Sequence, residues 1–169
     1  MDFNKYIQGA TSVLNVGCGH PGFRHEGLAP LNTLERKVGI DINDERICGW
    51  DNSWTILKFF LDKPLPFIDN YFDVVIAFDL VEHLSYGDGW NLIKECERVA
   101  KKTFIVFAPE GYIDTIKYQR EFVTSPWDVH QSGWYHEWFE KLGYEVEYIP
   151  QAHNLGGDIF GAFFAVKTF

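Results

Sequence analysis

The chain has 169 residues, of which 46% are hydrophobic and 17% aromatic, and its formal net charge is −9. The hydrophobic share excludes a mostly disordered chain, and the length allows one domain with a substantial core, so residues 1–169 are interpreted as a single domain. The acidic balance, without a run of Lys and Arg, argues against a broad nucleic-acid-binding surface.

The first predicted element is a short strand that runs directly into a glycine-rich turn. Residues 13–16 (VLNV) are followed by Gly17, Cys18 and Gly19, and Gly22 stands three positions later. Glycine tolerates unusual backbone angles and has no side chain, so the backbone can approach a ligand closely there. An ordinary tight turn would have the same composition, and this motif alone predicts no particular ligand.

Five apolar runs predict strands that are buried on both faces of a parallel sheet, because their apolar residues are nearly continuous rather than alternating. They are residues 13–16, 37–41, 56–61, 72–78 and 103–107. A short helix is predicted over residues 31–36, and a longer one over residues 88–102 with Asp88 as its cap. A third helix is predicted over residues 132–142, ending at Gly143. Its predicted inward side chains are Trp134, Trp138, Phe139 and Leu142.

The end of the chain changes pattern and predicts a hairpin. Residues 143–150 alternate polar and apolar residues, and residues 158–169 form a second strand-like run after the linker QAHNLGG. A parallel return would need a crossover of a dozen or more residues, so these two strands are predicted to be antiparallel. The predicted fold class is therefore α/β, with helices packed on a mixed sheet.

Acidic residues follow three of the predicted strands. Asp41 ends the second, Asp62 closes the third and Asp79 follows the fourth. In an open α/β sheet, ligands bind beyond the carboxyl ends of the strands, and a carboxylate after the second strand can accept two hydrogen bonds from a ribose. Each acid alone could be a helix cap or a solvated turn residue, but together with the glycine turn they indicate a nucleoside-binding edge.

Five stretches, in this order and spacing, resemble the class I S-adenosylmethionine-dependent methyltransferases, in particular the small type 11 group. They are VLNVGCGHPG, VGIDIND, LDKPLPFIDNYFDVVIAFDLVEHL, ECERVAKKTFIVFAPEG and HQSGWYHEWFEKLGYEV, and they cover about residues 13–146. The resemblance implies a Rossmann-like three-layer sandwich with a mostly parallel seven-stranded sheet and a C-terminal antiparallel hairpin. It also implies S-adenosylmethionine as cofactor and methyl transfer to oxygen or nitrogen of a small or medium-sized acceptor.

The resemblance further implies which residues contact the methionine and ribose parts of the cofactor. Gly17 and Gly19 would pass beneath them, and Phe78 would line the methionine end. Asn15 stands where the family usually has Asp or Glu. A neutral amide can still accept a hydrogen bond from the cofactor ammonium, but it loses the charge-assisted part, about 1 kcal/mol, so we expect weaker binding rather than none.

Three further residues are implied to contact the nucleoside. Asp41 would hold the ribose hydroxyls, Ile42 would lie on the adenine ring, and Asp62 would meet the adenine amino group.

His83 and His130 are the candidate catalytic bases. The sulfonium of the cofactor is already activated, so catalysis in such enzymes is largely positioning, with proton removal where the acceptor needs it. Histidine titrates near neutrality, which suits that role. Alternatively, His83 forms a structural hydrogen bond at a helix start and His130 flanks a helix as a cap.

A metal site is the alternative for the same cluster. Asp79, Glu82 and His83 stand at i, i+3 and i+4, so one helical face could present three ligands, and His130 could add a fourth. This set resembles the magnesium-type site of some O-methyltransferases. Many type 11 members carry the Glu-His pair without a metal, so we expect no metal here.

The irregular segment over residues 111–132 contains Tyr112, Tyr118, Phe122 and Trp127. It predicts either a flexible lid over a small acceptor or loose packing over the sheet edge. The sequence has no signal-peptide pattern and no apolar run of membrane-spanning length, so a cytoplasmic protein with neither nucleic acid nor membrane as partner is expected. A protein that binds the cofactor without turnover is the open alternative to an active methyltransferase.

Overall fold

A seven-stranded sheet forms the centre of the computed structural model, which describes residues 2, 4–20, 26–42, 49–119, 123 and 125–169. Its strands are Ser12–Val16 (β1), Arg36–Asp41 (β2), Trp54–Lys58 (β3), Phe72–Phe78 (β4), Ala100–Pro109 (β5), Glu145–Leu155 (β6) and Asp158–Thr168 (β7). Their order is β3-β2-β1-β4-β5-β7-β6. The first five are parallel, and β7 is antiparallel to both of its neighbours. The predicted α/β fold, a mostly parallel Rossmann-like sheet with a terminal antiparallel hairpin, is confirmed.

Short helices connect most of the strands. The α-helices are Asn4–Ile7 (α1), Tyr86–Val99 (α2), Thr115–Tyr118 (α3) and His136–Lys141 (α4), and 3₁₀ helices span Glu26–Thr33, Val81–His83 and Pro126–Asp128. Among the helices of the described residues, none combines the length and the apolar character needed to cross a membrane.

The boundaries predicted for α2 were wrong at both ends. The helix is capped by Ser85, whose hydroxyl accepts a hydrogen bond from the Asp88 amide at 3.2 Å, so Asp88 lies inside the first turn rather than at the cap. It ends at Val99, because Ala100 already pairs with Phe72 of β4 as the first residue of β5. The buried residues of α2 include Leu92, Cys96 and Val99.

The helix predicted over residues 132–142 is shorter than expected. Trp134 lies before it and forms bridges with Glu110 and Gly111, so the chain is extended there. Gly143 ends the helix in the left-handed conformation, at φ +81°, as predicted. Leu142, which was predicted to face inward, is 52% exposed.

Two other element boundaries also differ from the prediction. The short helix predicted over residues 31–36 is the 3₁₀ helix Glu26–Thr33, which contains Pro30. The strand predicted over residues 56–61 is β3, Trp54–Lys58. Asp62 therefore lies in an exposed turn, four residues beyond the strand that it was predicted to close.

The sheet buries a hydrophobic cluster on each face. On one face, α2 and α4 cover the sheet, and the fully buried ring of Phe139 in α4 packs against Phe163 of β7 and against Trp134, which precedes the helix. On the other face, Leu31 packs with strand residues such as Ile76. Burial on both faces explains why β1, β2, β4 and β5 read as continuous apolar runs. The prediction was wrong for β3, which lies at the edge of the sheet and is mostly exposed.

The terminal hairpin extends past the carboxyl end of β5. Its turn consists of Gly156 and Gly157, both at positive φ, so most of the predicted linker QAHNLGG belongs to β6. Pro109, the last residue of β5, pairs with Ala162, and the hairpin tip beyond that pair therefore rises above the edge where β5 ends.

A buried carboxylate fastens the beginnings of three strands. Asp73 accepts hydrogen bonds from the Thr11 amide and hydroxyl at 2.8 and 2.9 Å, and its other oxygen lies 3.1 Å from Lys102 Nζ. Its own amide donates to Ser12 Oγ. Burial raises the pKa of Asp73, but the hydrogen bonds from Thr11 and the Lys102 ammonium outweigh it and hold this pKa at about 2.

We predict that Asp73→Asn lowers the free energy of unfolding at pH 7 by about 1–3 kcal/mol. Because the folded pKa lies below the ordinary value of 3.8, the stabilisation from Asp73 is complete above that value and disappears as the pH falls towards 2. Urea unfolding at pH 7, 4 and 3 should therefore show that the difference in the free energy of unfolding between wild type and variant becomes smaller as the pH falls. Asp69→Asn, which removes an exposed carboxylate bound to Arg98, is the control and should lower the free energy of unfolding by a smaller amount. A difference for Asp73→Asn that stays constant between pH 7 and pH 3 would contradict this assignment.

Candidate functional site

Several polar residues meet at one edge of the sheet because parallel strands end on the same side. The glycine turn follows β1, Asp41 ends β2, Asp79 follows β4 and Glu110 follows β5. This is the edge at which open α/β sheets bind their ligands.

The glycine turn has a defined backbone conformation. The amides of Gly17 and Cys18 both donate to the Ile40 carbonyl, at 2.8 and 3.0 Å, and Gly17 and Gly19 have φ of +69° and +53°. A Cβ on Gly17 would lie 2.7 Å from Leu80 Cδ1, whereas one on Gly19 would meet no described atom within 4 Å. Gly17 is therefore required by packing, whereas no described atom would obstruct a side chain at Gly19. The third glycine of the predicted motif, Gly22, lies outside the described residues.

Both polar backbone groups of Gly19 are bound by side chains, one from the last residue of β2 and one from the segment that follows it. Its amide donates to Asp41 Oδ2 at 2.9 Å, and its carbonyl accepts a hydrogen bond from Trp50 Nε1, also at 2.9 Å. Ile42, half-buried, follows Asp41 directly. The sequence predicted Asp41 at this turn, but nothing in the local pattern indicated Trp50, which is 31 positions away from Gly19.

The other residues predicted to contact a cofactor lie in different surroundings. Asn15 is buried in β1, with Gly39 and Ile76 as its partners in the neighbouring strands. Phe78 is buried at the end of β4, and its ring lies 5.7 Å from that of Phe164. Asp62 is exposed beyond β3. The geometry thus brings Gly17, Gly19 and Asp41 together.

His83 and His130, both predicted as catalytic, are brought face to edge. Their ring centroids are 4.7 Å apart at an interplanar angle of 83°. The backbone holds them there, because the amides of Gln131 and Ser132 donate to the Glu82 carbonyl at 2.7 and 3.1 Å. The Gln131 side chain also donates to the His83 carbonyl at 2.7 Å. This backbone clamp could not be foreseen from the sequence, since it joins segments about 50 residues apart.

Glu82 adds a buried carboxyl group to the histidine pair. It is 1% exposed, and its Oε2 makes no hydrogen bond within the described part of the chain, nor does the buried Nδ1 of His130. One potential ligand atom from each of Glu82, His83 and His130 lies within 4.8 Å of the others. Burial, and then the nearby Asp79 carboxylate, raise the pKa of Glu82 well above its ordinary value.

Asp79 does not join this group of three as the sequence predicted. It lies outside any helix, with φ of +47°, and its amide donates to the Phe107 carbonyl at 3.0 Å. Glu82 and His83 belong to a 3₁₀ helix of only three residues, so no α-helical face presents Asp79, Glu82 and His83 together. The predicted i, i+3, i+4 arrangement was wrong.

His130 is kept neutral by its surroundings. It is 9% exposed, and burial, followed by the neighbouring His83, lowers its pKa to about 4. An imidazole with such a pKa is deprotonated at pH 7, so it can accept a hydrogen bond or a metal ion, but it is a weak proton acceptor.

The segment predicted as a lid is partly ordered against the hairpin. Tyr118 of α3 packs against Phe160 with ring centroids 5.3 Å apart, and its hydroxyl donates to the Asp158 carboxylate. Tyr112 and Trp127 are about half exposed, and Phe122 lies outside the described residues. Two aromatic rings therefore face solvent in the segment that leads from β5 to His130.

Comparisons with known proteins agree with this geometry. Residues 14–107, more than half of the chain, match the family model described as a methyltransferase domain. No curated protein sequence matches the chain.

Solved structures of similar fold include a SAM-dependent methyltransferase from Archaeoglobus fulgidus, with 18% identity and a TM-score of 0.68 over 99% of this chain and 90% of that one. A protein from Pyrococcus horikoshii has 20% identity and a TM-score of 0.63, over 98% and 85%. A methyltransferase from Haloferax volcanii, in complex with the activator Trm112, has 18% identity and a TM-score of 0.63, over 99% and 87%. At these identities the likeness shows the fold.

We predict that Glu82→Gln raises the free energy of unfolding at pH 7 by about 1–2 kcal/mol, because the unfolded state no longer gains from ionising this group. The folded pKa lies above the ordinary value of 4.5, so the gain should be present above that value and vanish below it, where Glu82 is protonated in both states. Urea unfolding at pH 4 and pH 7 tests this. Glu137→Gln, at an exposed position of α4, is the matched control and should change little. A loss of stability in Glu82→Gln at pH 7 would mean that the ionised carboxylate is stabilised in the fold.

Proposed function

Because the chain belongs to the methyltransferase domain family and is therefore an S-adenosylmethionine-dependent methyltransferase, we propose that it methylates an oxygen or nitrogen atom of a small or medium-sized acceptor. The observation that carries this proposal is the pair His83 and His130, which lies beside the buried Glu82 at the same sheet edge as the glycine turn.

The residues at the glycine turn fit the cofactor. No described residue covers Gly19, and the Asp41 carboxylate, at the end of β2, stands beside it as an acceptor for ribose hydroxyls. We assign Gly17 and Gly19 to the methionine and ribose side, together with Asn15 and Phe78, and Asp41, Ile42 and Asp62 to the nucleoside. When bound, S-adenosylmethionine supplies a methyl group that is already activated on a sulfonium.

A small acceptor group suits the position of the histidine pair beside the buried Glu82. Glu82 and His130 are both buried, so a hydroxyl or amine must protrude from the acceptor to reach them. The exposed rings of Tyr112 and Trp127 offer an apolar surface for the rest of such a molecule.

Different tasks follow for the two histidines. Since the pKa of His130 is lowered to about 4, it is the weaker proton acceptor, and we assign proton removal from the acceptor to His83. His130, fixed by its neighbours Gln131 and Ser132 on the Glu82 carbonyl, orients His83 through the contact of their rings.

We predict that Asp41→Ala weakens binding of S-adenosylhomocysteine by about 1–3 kcal/mol, because the ribose hydroxyls lose a charged acceptor and the Gly19 amide loses its partner. Isothermal titration calorimetry measures the change. Asp88→Ala, an exposed carboxylate on α2, is the control. Asn15→Asp should bind as well as wild type or better, since it restores a charged acceptor for the ammonium. Equal affinity of wild type and Asp41→Ala would contradict the ribose assignment, and tighter binding of NADH than of S-adenosylhomocysteine would contradict the cofactor site as a whole.

A metal-assisted O-methyltransferase is the second candidate function. Two observations favour it: the Glu82, His83 and His130 ligand atoms lie within 4.8 Å of one another, and Glu82 Oε2 and His130 Nδ1 make no hydrogen bond in the described chain. Two imidazoles and one carboxylate suit Mn²⁺ better than Mg²⁺, which prefers oxygen ligands. Such an ion would lower the pKa of an acceptor hydroxyl.

EDTA and single substitutions distinguish the two candidates in a methyl-transfer assay on a panel of small phenols and amines. For proton removal by His83, we predict full activity in EDTA, a loss of about 10²-fold or more in kcat for His83→Ala, and a smaller loss for His130→Ala. If the reaction is metal-assisted, we predict that EDTA abolishes turnover and that Glu82→Ala lowers kcat as much as His83→Ala does.

Metal titration gives an independent measurement. Because the pKa of Glu82 is raised, an ion must displace a proton from it, so Mn²⁺ would bind more tightly at pH 8 than at pH 6 and would release protons. Calorimetry in buffers of different ionisation enthalpy detects this release. Full activity of the His83→Ala, His130→Ala double variant would contradict both candidates.

A further inference from the structure

Trp50 holds the glycine turn from the side opposite Asp41. The Gly19 amide is bound by Asp41 and the Gly19 carbonyl by the Trp50 indole, each at 2.9 Å. The two bonds fix both peptide groups that flank the Gly19 Cα, an atom at φ +53° that no described residue covers.

The indole is itself held in place by β3. Its ring centroid lies 4.7 Å from that of Trp54, with the planes tilted by 55°. Trp54 is the first residue of β3 and is buried, and β3 pairs with β2 in register from Lys37 to Asp41. The sheet therefore determines where the Trp50 nitrogen points, and through it where the Gly19 carbonyl lies.

We propose that Trp50 is a positioning residue for the cofactor, an inference that rests on the proposed role of the glycine turn and Asp41. A glycine turn has many accessible conformations, and ordering it at the moment of binding costs affinity. The Trp50 hydrogen bond fixes the turn before the cofactor arrives, so the open side of Gly19 and the Asp41 carboxylate are already oriented towards the ligand.

Trp50→Phe tests this inference, because phenylalanine keeps a six-membered ring beside Trp54 and removes the pyrrole ring with the N–H that binds Gly19. We expect the Kd for S-adenosylhomocysteine, measured by calorimetry, to rise about 5- to 10-fold, in line with the loss of one hydrogen bond. Trp54→Phe is the matched control: it changes the other member of the ring pair, leaves the bond to Gly19 in place, and should raise Kd less than 2-fold. Circular dichroism and the Tm of each variant show whether the fold is retained.

A spectroscopic measurement on the unsubstituted chain keeps the test independent of folding. The protein is labelled with 5-fluorotryptophan, and the ¹⁹F resonance that is missing from Trp50→Phe is assigned to Trp50. We expect this resonance to be a single narrow line in the free protein, with a line width that S-adenosylhomocysteine leaves unchanged, because the bond to Gly19 fixes the turn before the cofactor binds.

The outcomes separate the inference from the function on which it rests. If Asp41→Ala weakens binding and Trp50→Phe does not, the inference is wrong and the site assignment holds. The same conclusion follows if the Trp50 resonance is broad or split in the free protein and becomes a single narrow line only with S-adenosylhomocysteine. Equal losses in Trp50→Phe and Trp54→Phe would also overturn it, because ring packing rather than the bond to Gly19 would then be responsible. If neither Asp41→Ala nor Trp50→Phe changes Kd, the proposed cofactor site itself is wrong.

Discussion

The carbonyl oxygen of Ile40 accepts two hydrogen bonds, from the amides of Gly17 and Cys18, and the candidate site is built around this contact. The bonds turn the chain sharply out of β1 and hold it against the end of β2. Gly17 must adopt a left-handed conformation to make this turn, and Leu80 leaves no room there for a side chain. As a consequence, the next glycine, Gly19, lies beside Asp41, the residue that follows Ile40, and its amide donates a hydrogen bond to the Asp41 carboxylate. One backbone acceptor thus determines both the shape of the turn and which acid stands beside it.

The acceptor side of the site is organised by a different principle, the burial of polar groups that the fold does not satisfy. Glu82 Oε2 and His130 Nδ1 are buried without a hydrogen bond in the described chain, an arrangement that costs stability. The backbone around them is well bonded, since Gln131 and Ser132 donate to the Glu82 carbonyl and the Ser132 hydroxyl donates to the Leu84 carbonyl at 2.7 Å. The protein therefore uses main-chain bonds to hold side chains whose own polar atoms have no hydrogen-bond partner among the described residues, an arrangement that is common at functional sites.

The sequence predicted the features that depend on local composition. Continuous apolar runs predicted the parallel strands, and the short connection near residues 151–157 predicted the hairpin. The acidic residue at the end of the second apolar run predicted that Asp41 would lie at the glycine turn. Helix ends were less predictable, because Ser85 and Asp88 are both good caps and only the backbone path distinguishes them. The pairing of Trp50 with Gly19 and the clamp of Gln131 on residues 82–83 join distant segments, so no local pattern contains them. The position of Asp79 was wrong for a related reason. The spacing of Asp79, Glu82 and His83 fits an α-helix, but Asp79 adopts a left-handed backbone conformation and is followed by a single 3₁₀ turn.

Leu80 connects the cofactor side and the acceptor side. Its side chain packs against the Cα of Gly17, where it excludes a Cβ, and its carbonyl accepts a hydrogen bond from the His83 amide at 3.0 Å. A displacement of the glycine turn would therefore press on the residue that precedes the 3₁₀ helix carrying Glu82 and His83. Because packed interiors resist compression, the distance between the turn and the histidine pair is fixed by this contact. Methyl transfer requires the donor carbon and the acceptor atom to be aligned, and in the function proposed above a leucine packed between the glycine turn and the 3₁₀ helix supplies that rigidity without taking part in the chemistry.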